Sequence, residues 1–215
     1  MKLRIYRVIT GGLLLLCMVM IFRFSAQPAS ESEQVSGGVA YRIVETWSHL
    51  TETEYTQSEM EAYADRIDYP VRKLAHMTEY GILCLLACAF VHGYSGNWKV
   101  CGISAAAIAA LYAATDEIHQ LFVPGRAGRF LDVCIDMLGA VIWLLFFTAL
   151  RKLWEKIAKR RGFQYNKNIA SLFVLLLALS TGEPLLVLPA LALAAYAYRG
   201  VADITSRFTE KGGAR

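Results

Sequence analysis

The stretch Thr115–Asp132, TDEIHQLFVPGRAGRFLD, separates two long apolar runs and decides how the chain can fold. VCGISAAAIAALYAA (100–114) precedes it, and VCIDMLGAVIWLLFFTAL (133–150) follows it. Charged side chains avoid lipid, because a single Asp or Arg at the bilayer centre costs about 2.5–3.5 kcal/mol. The stretch therefore predicts a polar connection between two membrane-spanning helices. Its acids, histidine and arginines are expected to face other polar groups or a water-filled cavity.

The rest of the chain has the composition of an integral membrane protein. It has 215 residues, of which 56% are hydrophobic and 19% charged, and the apolar residues come in blocks. A bilayer core of about 30 Å requires roughly 20 mainly apolar residues per helix. We therefore expect an all-α, polytopic transmembrane helical bundle of four or five spans. The four clear spans are 8–24, 74–91, 100–115 and 131–150.

Two hydrophobic segments need separate interpretation. The run 169–198 is longer than one span requires and is interrupted by STGEP at 180–184. We expect one kinked span there, with a helical hairpin as the alternative, followed by a polar tail at 199–215. The first run follows MKLRIYR, as in a signal peptide, but FRFSAQPAS offers no clean A-x-A site. An uncleaved anchor is therefore the favoured interpretation.

Charge placement predicts the orientation in the membrane. Positive residues near span ends mark the cytoplasmic side. The N-terminus carries Lys2, Arg4 and Arg7 without an acid, and the linker 151–168 has seven basic residues against one acid. Segment 26–71 has nine acids against two arginines. Four spans between two cytoplasmic ends satisfy this pattern, with the N-terminus inside and segment 26–71 outside.

The outer segment, 26–71, is expected to form two amphipathic helices over the outer face. SESE (30–33) resembles a capping box and is followed by apolar residues at helical intervals. TQSE (56–59) is a second box. The second amphipathic helix is expected to end at 68–70, where Asp68 would cap the next span and Pro70 would lie in its first turn.

Polar residues concentrate at the predicted outer ends of the spans. Helical spacing places three groups of side chains on common faces. The groups are His76, Glu79 and Tyr80, then Asp116, His119 and Gln120, then Asp132 and Asp136. They are expected to converge across the bundle, with VPGR (123–126) forming a tight turn beside them. Structural ion pairs between Arg126 and Asp132, and between Arg72 or Lys73 and Glu79, are the simpler alternative to a functional site.

The polar motifs resemble those of the VanZ-like family. The resemblance rests on RKLAHMTEYGIL (72–83), DEIHQLFVPGR (116–126), FLDVCIDMLGA (130–140) and FSAQPASESEQVS (24–36), and it covers about residues 8–150. It implies a multi-pass protein of the bacterial cell membrane, from a family whose founding member lowers susceptibility to the lipoglycopeptide teicoplanin. No accepted biochemical activity comes with the resemblance.

The resemblance also carries over individual positions. They are Lys73, His76, Glu79, Tyr80, Asp116, Glu117, Gln120, Arg126, Asp132 and Gly139. The sequence departs from the family pattern at Asp136, where an amide is usual, and at Gly128–Arg129, where small hydroxyl residues are common. The additional acid and the additional base could pair with each other locally.

Two classes of function fit these features. In the first, an outward-facing pocket binds a lipid headgroup, a lipid-linked cell-wall precursor or a lipoglycopeptide. Its ligand-binding candidates are Lys73, Tyr80, Glu117, Gln120, Arg126, Arg129 and Asp136. In the second, an outer-leaflet enzyme acts on a lipid-linked or wall substrate by His/carboxylate chemistry. Its catalytic candidates are His76, Glu79, Asp116, His119 and Asp132.

Other classes are less favoured. The polar groups cluster at one side and not at the midplane, where transporter sites usually lie. No HExxH or CxxC spacing occurs, so we expect no metal site and no cofactor. Membrane lipids are the expected partners, and no nucleic acid is expected.

Overall fold

The computed structural model describes residues 2–160, which form five α-helices and no strand. The helices are α1 Lys2–Ser25, α2 Ala29–Thr51, α3 Gln57–Ser95, α4 Trp98–Gln120 and α5 Phe130–Arg160. Residues up to Leu145 form one compact unit, and α5 continues into a second unit from Phe146 onward. The expectations for segments 169–198 and 199–215, and for the end of the basic linker, lie outside the described residues.

Four of the helices are long and apolar enough to cross a membrane. These candidate spans are Leu3–Ser25, Gln57–Ser95, Trp98–Gln120 and Phe130–Leu153. Residues 2–160 are all-helical, apart from their short connections, and contain four such spans, which confirms the expected polytopic helical bundle.

The sequence prediction was wrong about α3, which joins an expected amphipathic helix and an expected span into one helix. Its N-terminus has the predicted capping box, in which Thr56 and Glu59 satisfy each other's backbone N–H groups. However, the helix continues through Pro70 to Ser95. At 1.5 Å per residue its 39 residues extend about 59 Å, roughly twice the thickness of a bilayer core. Part of α3 must therefore project beyond the apolar layer.

Helix α2 starts earlier than the sequence suggested. Pro28 precedes its first turn, and the Pro28 carbonyl accepts hydrogen bonds from the backbone N–H groups of Glu31 and Ser32. Since no side chain caps this helix, the box predicted at 30–33 is absent. The N-terminal end of α2 is thus set by Pro28, which has the fixed φ that a helix start requires.

The two sides of α2 differ in the size of their apolar residues. Small side chains, Ser36, Ala40 and Val44, are buried against α3 around Ala64. A stripe of larger side chains remains exposed on α2: Val35, Val39, Ile43, Trp47 and Leu50. Within the described residues, α2 packs on α3 through its small side, where Tyr41 also lies against the cluster, and the stripe of larger side chains stays exposed.

The bundle is organised around α3, which contacts α1, α2 and α4. Tyr80, Leu83 and Cys84 are fully buried there. Ala105, Ala109 and Ala113 are fully buried on α4, where their small size permits close helix approach. Helix α5 also approaches α3 closely. A Cβ atom on Gly139 would overlap the Met77 carbonyl oxygen, so this crossing needs glycine.

Long-range hydrogen bonds fix which helix ends lie together. Near the start of α1, Tyr6 donates to the Ala89 carbonyl (2.9 Å) and Arg7 Nε donates to the Gly93 carbonyl (2.8 Å). The start of α1 therefore lies beside the end of α3. The end of α1 lies beside the α4–α5 connection, through hydrogen bonds described below. We call this second end of the bundle the polar end.

Candidate functional site

The α4–α5 connection is held against α1 and α2 by a tight turn. The Arg126 N–H donates to the Val123 carbonyl (3.1 Å), and Gly125 has a positive φ of 74°. Together with Pro124 before it, this is the arrangement of a type II turn and confirms the prediction for VPGR. The Pro124 carbonyl accepts from the Ala29 N–H (3.2 Å), so the turn also meets the first residue of α2.

Arg126 joins this turn to the end of α1. Its Nε donates to the Gln27 carbonyl (3.0 Å) and one of its Nη atoms donates to the Phe24 carbonyl (3.2 Å). Carbonyls at a helix C-terminus lack intrahelical donors and carry partial negative charge, so a guanidinium is well suited to them. Burial lowers the pKa of Arg126 from its ordinary value, but arginine remains charged at neutral pH.

The remainder of the connection runs close to the end of α4. A Cβ atom on Gly128 would overlap the Glu117 carbonyl oxygen, so only glycine fits there. The close approach lets the Arg129 N–H donate to Glu117 Oε2 (2.7 Å). The Arg129 carbonyl in turn accepts from the Asp132 N–H (2.9 Å) in the first turn of α5. Glu117 is thus tied to the start of α5.

A cavity of about 190 Å³ opens at the polar end, between these elements and α3. Its lining comes from the start of α2, the middle of α3, the end of α4, the connection and the start of α5. The lining residues are Ala29, Glu33, Tyr69, Arg72, Lys73, His76, Glu117, Gln120, Gly125, Arg126, Ala127, Arg129, Asp132 and Asp136. Four helices and the connection therefore contribute to one site.

Ion pairs neutralise part of the cavity wall, with partners that differ from those expected. Lys73 Nζ lies 2.7 Å from Asp132 Oδ1, joining α3 to α5. Arg72 lies 3.6 Å from both Glu33 and Asp68. The expected pairing of Glu79 with Arg72 or Lys73 is not among these contacts. Arg126 and Asp132 do not pair either.

Beside these pairs, His76 has a carboxylate neighbour on its own helix. Its Nδ1 lies 3.7 Å from Glu79 Oε2, one helical turn further along α3. His76 lines the cavity, whereas Glu79 does not. The imidazole therefore has one side toward the cavity and a carboxylate behind it.

Two acids and an amide form a buried part of the lining. Asp136, Glu117 and Gln120 are 3%, 7% and 5% exposed, respectively. Gln120 Nε2 lies 3.4 Å from Asp116 Oδ2, to which it donates a hydrogen bond. Among residues 2–160, the Asp136 carboxylate has neither a hydrogen bond nor an ion pair, and Arg129, which is exposed, makes none through its side chain. The local pairing of Arg129 with Asp136 that the sequence allowed is not formed.

Four predicted residues lie next to the cavity without lining it: Glu79, Tyr80, Asp116 and His119. Tyr80 is fully buried, and its hydroxyl lies near the Asp116 carboxylate. Ser25 Oγ is also close to that carboxylate. The His119 ring stacks on Phe22 of α1, with 4.5 Å between ring centroids.

The other eight predicted residues line the cavity: Lys73, His76, Glu117, Gln120, Arg126, Arg129, Asp132 and Asp136. Sequence reasoning missed Glu33 and Tyr69, which also line it. Tyr69 lies one helical turn before Lys73, whose ammonium is 5.4 Å from the centre of the tyrosine ring. That four-residue spacing would have identified Tyr69 if α3 had been expected to continue through Pro70.

No group of three or more His, Cys, Asp or Glu side chains in the described helices is arranged to hold a metal ion.

Comparison with known proteins identifies the family. No curated protein and no solved structure matches the chain. The family model described as VanZ/LLP1 matches residues 11–154, which is more than half of the chain and includes every residue that lines the cavity. The chain therefore belongs to the VanZ/LLP1 family and is a VanZ-like membrane protein, of a family linked to antibiotic resistance.

Proposed function

We propose that the protein lowers susceptibility to teicoplanin-type lipoglycopeptides by holding a lipid headgroup or a cell-wall precursor in the cavity at its polar end. The observation that carries the proposal is the lining itself, in which cations, carboxylates and an amide from three spans meet at one cavity. Side chains of this kind are expensive within a membrane and usually mark a binding or transport site. Guanidinium groups suit phosphate, and carboxylates suit hydroxyl or amine groups.

The orientation follows from the charge pattern. The basic N-terminus favours a cytoplasmic start of α1, and the acidic segment that contains α2 favours the outside. The polar end, where α1 ends and α2 begins, would then face outward from a bacterial cell membrane. An outward cavity is accessible to outer-leaflet lipids, to wall precursors and to a lipid-anchored antibiotic.

The size of the cavity restricts what it can hold. Pockets for drug-sized ligands measure about 300–1,000 Å³, whereas this cavity measures about 190 Å³. It would enclose a headgroup or the end of a precursor, but not a whole lipoglycopeptide. Protection would then come from retaining or shielding a small group of the cell envelope.

An outer-leaflet enzyme is the second candidate, and the observation that favours it is the pair formed by His76 and Glu79. The Glu79 carboxylate, 3.7 Å from Nδ1, is too distant for a hydrogen bond, but it lies on the side of the imidazole where a histidine base needs an anionic neighbour. In this version His76 would remove a proton from water or from a hydroxyl of a lipid-linked substrate held in the cavity.

Antibiotic susceptibility in a host that lacks the gene tests the first proposal. Wild type is compared with Arg129→Gln, which removes an exposed cavity cation without a side-chain partner in the described helices. Arg42→Gln removes an exposed arginine of α2 outside the cavity and is the matched control. At equal membrane abundance we expect protection by wild type and by Arg42→Gln, and reduced protection by Arg129→Gln. Failure of wild type to protect would refute the proposed function.

The enzyme is distinguished by a separate pair of measurements. Glu79→Gln should abolish formation of a modified lipid or wall product if His76 is a base, while ligand binding is retained. If Glu79→Gln leaves both product and protection unchanged, the pair is structural and the enzymatic candidate fails.

A further inference from the structure

The cavity is lined by equal numbers of cationic and acidic residues, but only some of them form ion pairs. Four cationic residues (Arg72, Lys73, Arg126, Arg129) and four acidic ones (Glu33, Glu117, Asp132, Asp136) line it. Two of these cations and two of these acids are engaged in ion pairs with each other, namely Arg72 with Glu33 and Lys73 with Asp132. The other two cations and the other two acids are without an ion-pair partner among the described residues.

The two unpaired cations can still bind an anion. Arg126 donates its Nε N–H to the Gln27 carbonyl and one Nη2 N–H to the Phe24 carbonyl, which leaves three of its five donors. Arg129 uses only its backbone N–H, for Glu117, and its guanidinium is exposed at the cavity. Together they offer a phosphate both charge and hydrogen bonds.

The unpaired acids form a complementary surface in the buried part of the lining. Asp136 is 3% exposed, lines the cavity and makes no hydrogen bond or ion pair with residues 2–160. A buried carboxylate requires a cation or a proton to neutralise it. Glu117 has one oxygen engaged by the Arg129 N–H, and Gln120 donates its amide to Asp116. One oxygen of Glu117 and the carbonyl oxygen of Gln120 remain as acceptors in the same lining as Asp136.

We propose that the ligand is zwitterionic, with a phosphate bound by Arg126 and Arg129 and a primary ammonium bound by Asp136, Glu117 and Gln120. A primary ammonium has three N–H donors, which matches three acceptors. The ligand class is a phosphoethanolamine-like group, carried by a phospholipid or by a soluble or wall-linked molecule. This inference rests on the proposed function, because it names the ligand of the same cavity.

Binding of two soluble probes to the full-length protein in detergent tests the inference. O-phosphoethanolamine and glycerol 1-phosphate carry the same phosphate, but only the first carries an amine. We expect wild type to bind O-phosphoethanolamine about tenfold more tightly, in keeping with the strength of a charged hydrogen-bonding contact. Phosphocholine, which has no N–H donor, should bind less tightly than O-phosphoethanolamine.

Variants separate the two ends of the cavity. In Asp136→Asn the preference for the amine should disappear, while glycerol 1-phosphate binds no more weakly than to wild type. Arg129→Gln should weaken both probes by a similar factor. Asp65→Asn, an exposed position of α3 outside the cavity, is the matched control and should keep the wild-type preference.

Each remaining outcome decides a specific point. Equal binding of both probes to wild type would overturn the zwitterion while leaving an anion-binding cavity, and thus the proposed function, in place. Binding of neither probe would overturn the inference, whereas the proposed function is decided separately by the susceptibility assay. If Mg²⁺ raises the affinity for glycerol 1-phosphate to that for O-phosphoethanolamine, and Asp136→Asn abolishes this effect, the bound cation is inorganic. That result would also overturn the inference.

The source of the group is decided with the protein in nanodiscs. If the ligand is a phospholipid headgroup, protein in phosphatidylethanolamine nanodiscs should bind less of the soluble probe than protein in phosphatidylglycerol nanodiscs, because the lipid headgroup already occupies the cavity. Retention of the probe in both would point to a soluble or wall-linked phosphoethanolamine group, and either result supports the zwitterionic site.

Discussion

The ion pair between Lys73 and Asp132 gives the sharpest test of how the polar end is stabilised. It joins the middle of α3 to the first turn of α5, with Nζ and Oδ1 2.7 Å apart. The two side chains are 18% and 17% exposed, so both are largely removed from solvent. We predict that Lys73→Met and Asp132→Asn each destabilise the protein, and that the double variant is less destabilised than the sum of the two.

The magnitude follows from the distance. Two unit charges 2.7 Å apart attract by about 6 kcal/mol at an effective dielectric constant of about 20. Desolvation of both groups offsets most of this attraction, so the net contribution of such a charged hydrogen bond is about 1.5–3 kcal/mol. Each single substitution also strands the remaining charge. We therefore expect a coupling free energy of about 1.5–3 kcal/mol in the double-mutant cycle.

Reversible unfolding in mixed micelles measures the free energy for wild type, both single variants and the double variant. Susceptibility of the host, at matched abundance, is measured in parallel. A coupling free energy below about 0.5 kcal/mol would refute the reasoning, because non-interacting sites are additive within that margin. A double variant that recovers stability but not protection would show that the pair contributes to the ligand site in addition to the fold.

Three further predictions concern packing and membrane contact. Gly139→Ala should destabilise the protein by about 1–3 kcal/mol through overlap with the Met77 backbone, whereas Gly12→Ala, with open space around it, should be neutral or stabilising in the same unfolding assay. Tyr112→Phe should cost about 1 kcal/mol in the same assay, because it removes the hydrogen bond that the Tyr112 hydroxyl donates to the Met18 carbonyl. Trp47, which is 60% exposed in the apolar stripe of α2, should be quenched by brominated lipids if that stripe lies at the membrane interface, and an unquenched Trp47 would refute this placement.

The spans themselves were predictable from sequence because lipid requires long, continuous apolar helices. The predicted span 100–115 lies inside α4, and 131–150 lies inside α5. The error at α3 has a physical cause. Hydropathy marks where a helix enters the membrane, whereas backbone hydrogen bonding marks where it begins, and in α3 these positions are far apart. Pro70 lies near the change in hydropathy and was therefore mistaken for a helix start.

The sequence correctly predicted which polar side chains share one face of a helix. It did not predict which residues of the other helices they pair with. Helical spacing placed His76 on a common face with Glu79, and the structure has them 3.7 Å apart. However, spacing within one helix does not define how that helix is rotated against its neighbours. Consequently the partner of Lys73, which is Asp132 on α5, could not be read from the sequence. The same applies to Arg126, whose acceptors are backbone carbonyls and have no sequence signature.

These partners also determine which charges remain for a ligand. Arg72 and Lys73 are neutralised by carboxylates, and Arg126 is partly engaged by the end of α1, so they mainly hold the helices together. Arg129 and Asp136 have no side-chain partner in the described helices. Side chains without a partner in the protein contribute little to its stability and remain available to bind a ligand. We therefore infer that the paired residues maintain the shape of the cavity, while Arg129 and Asp136 determine which headgroup it accepts.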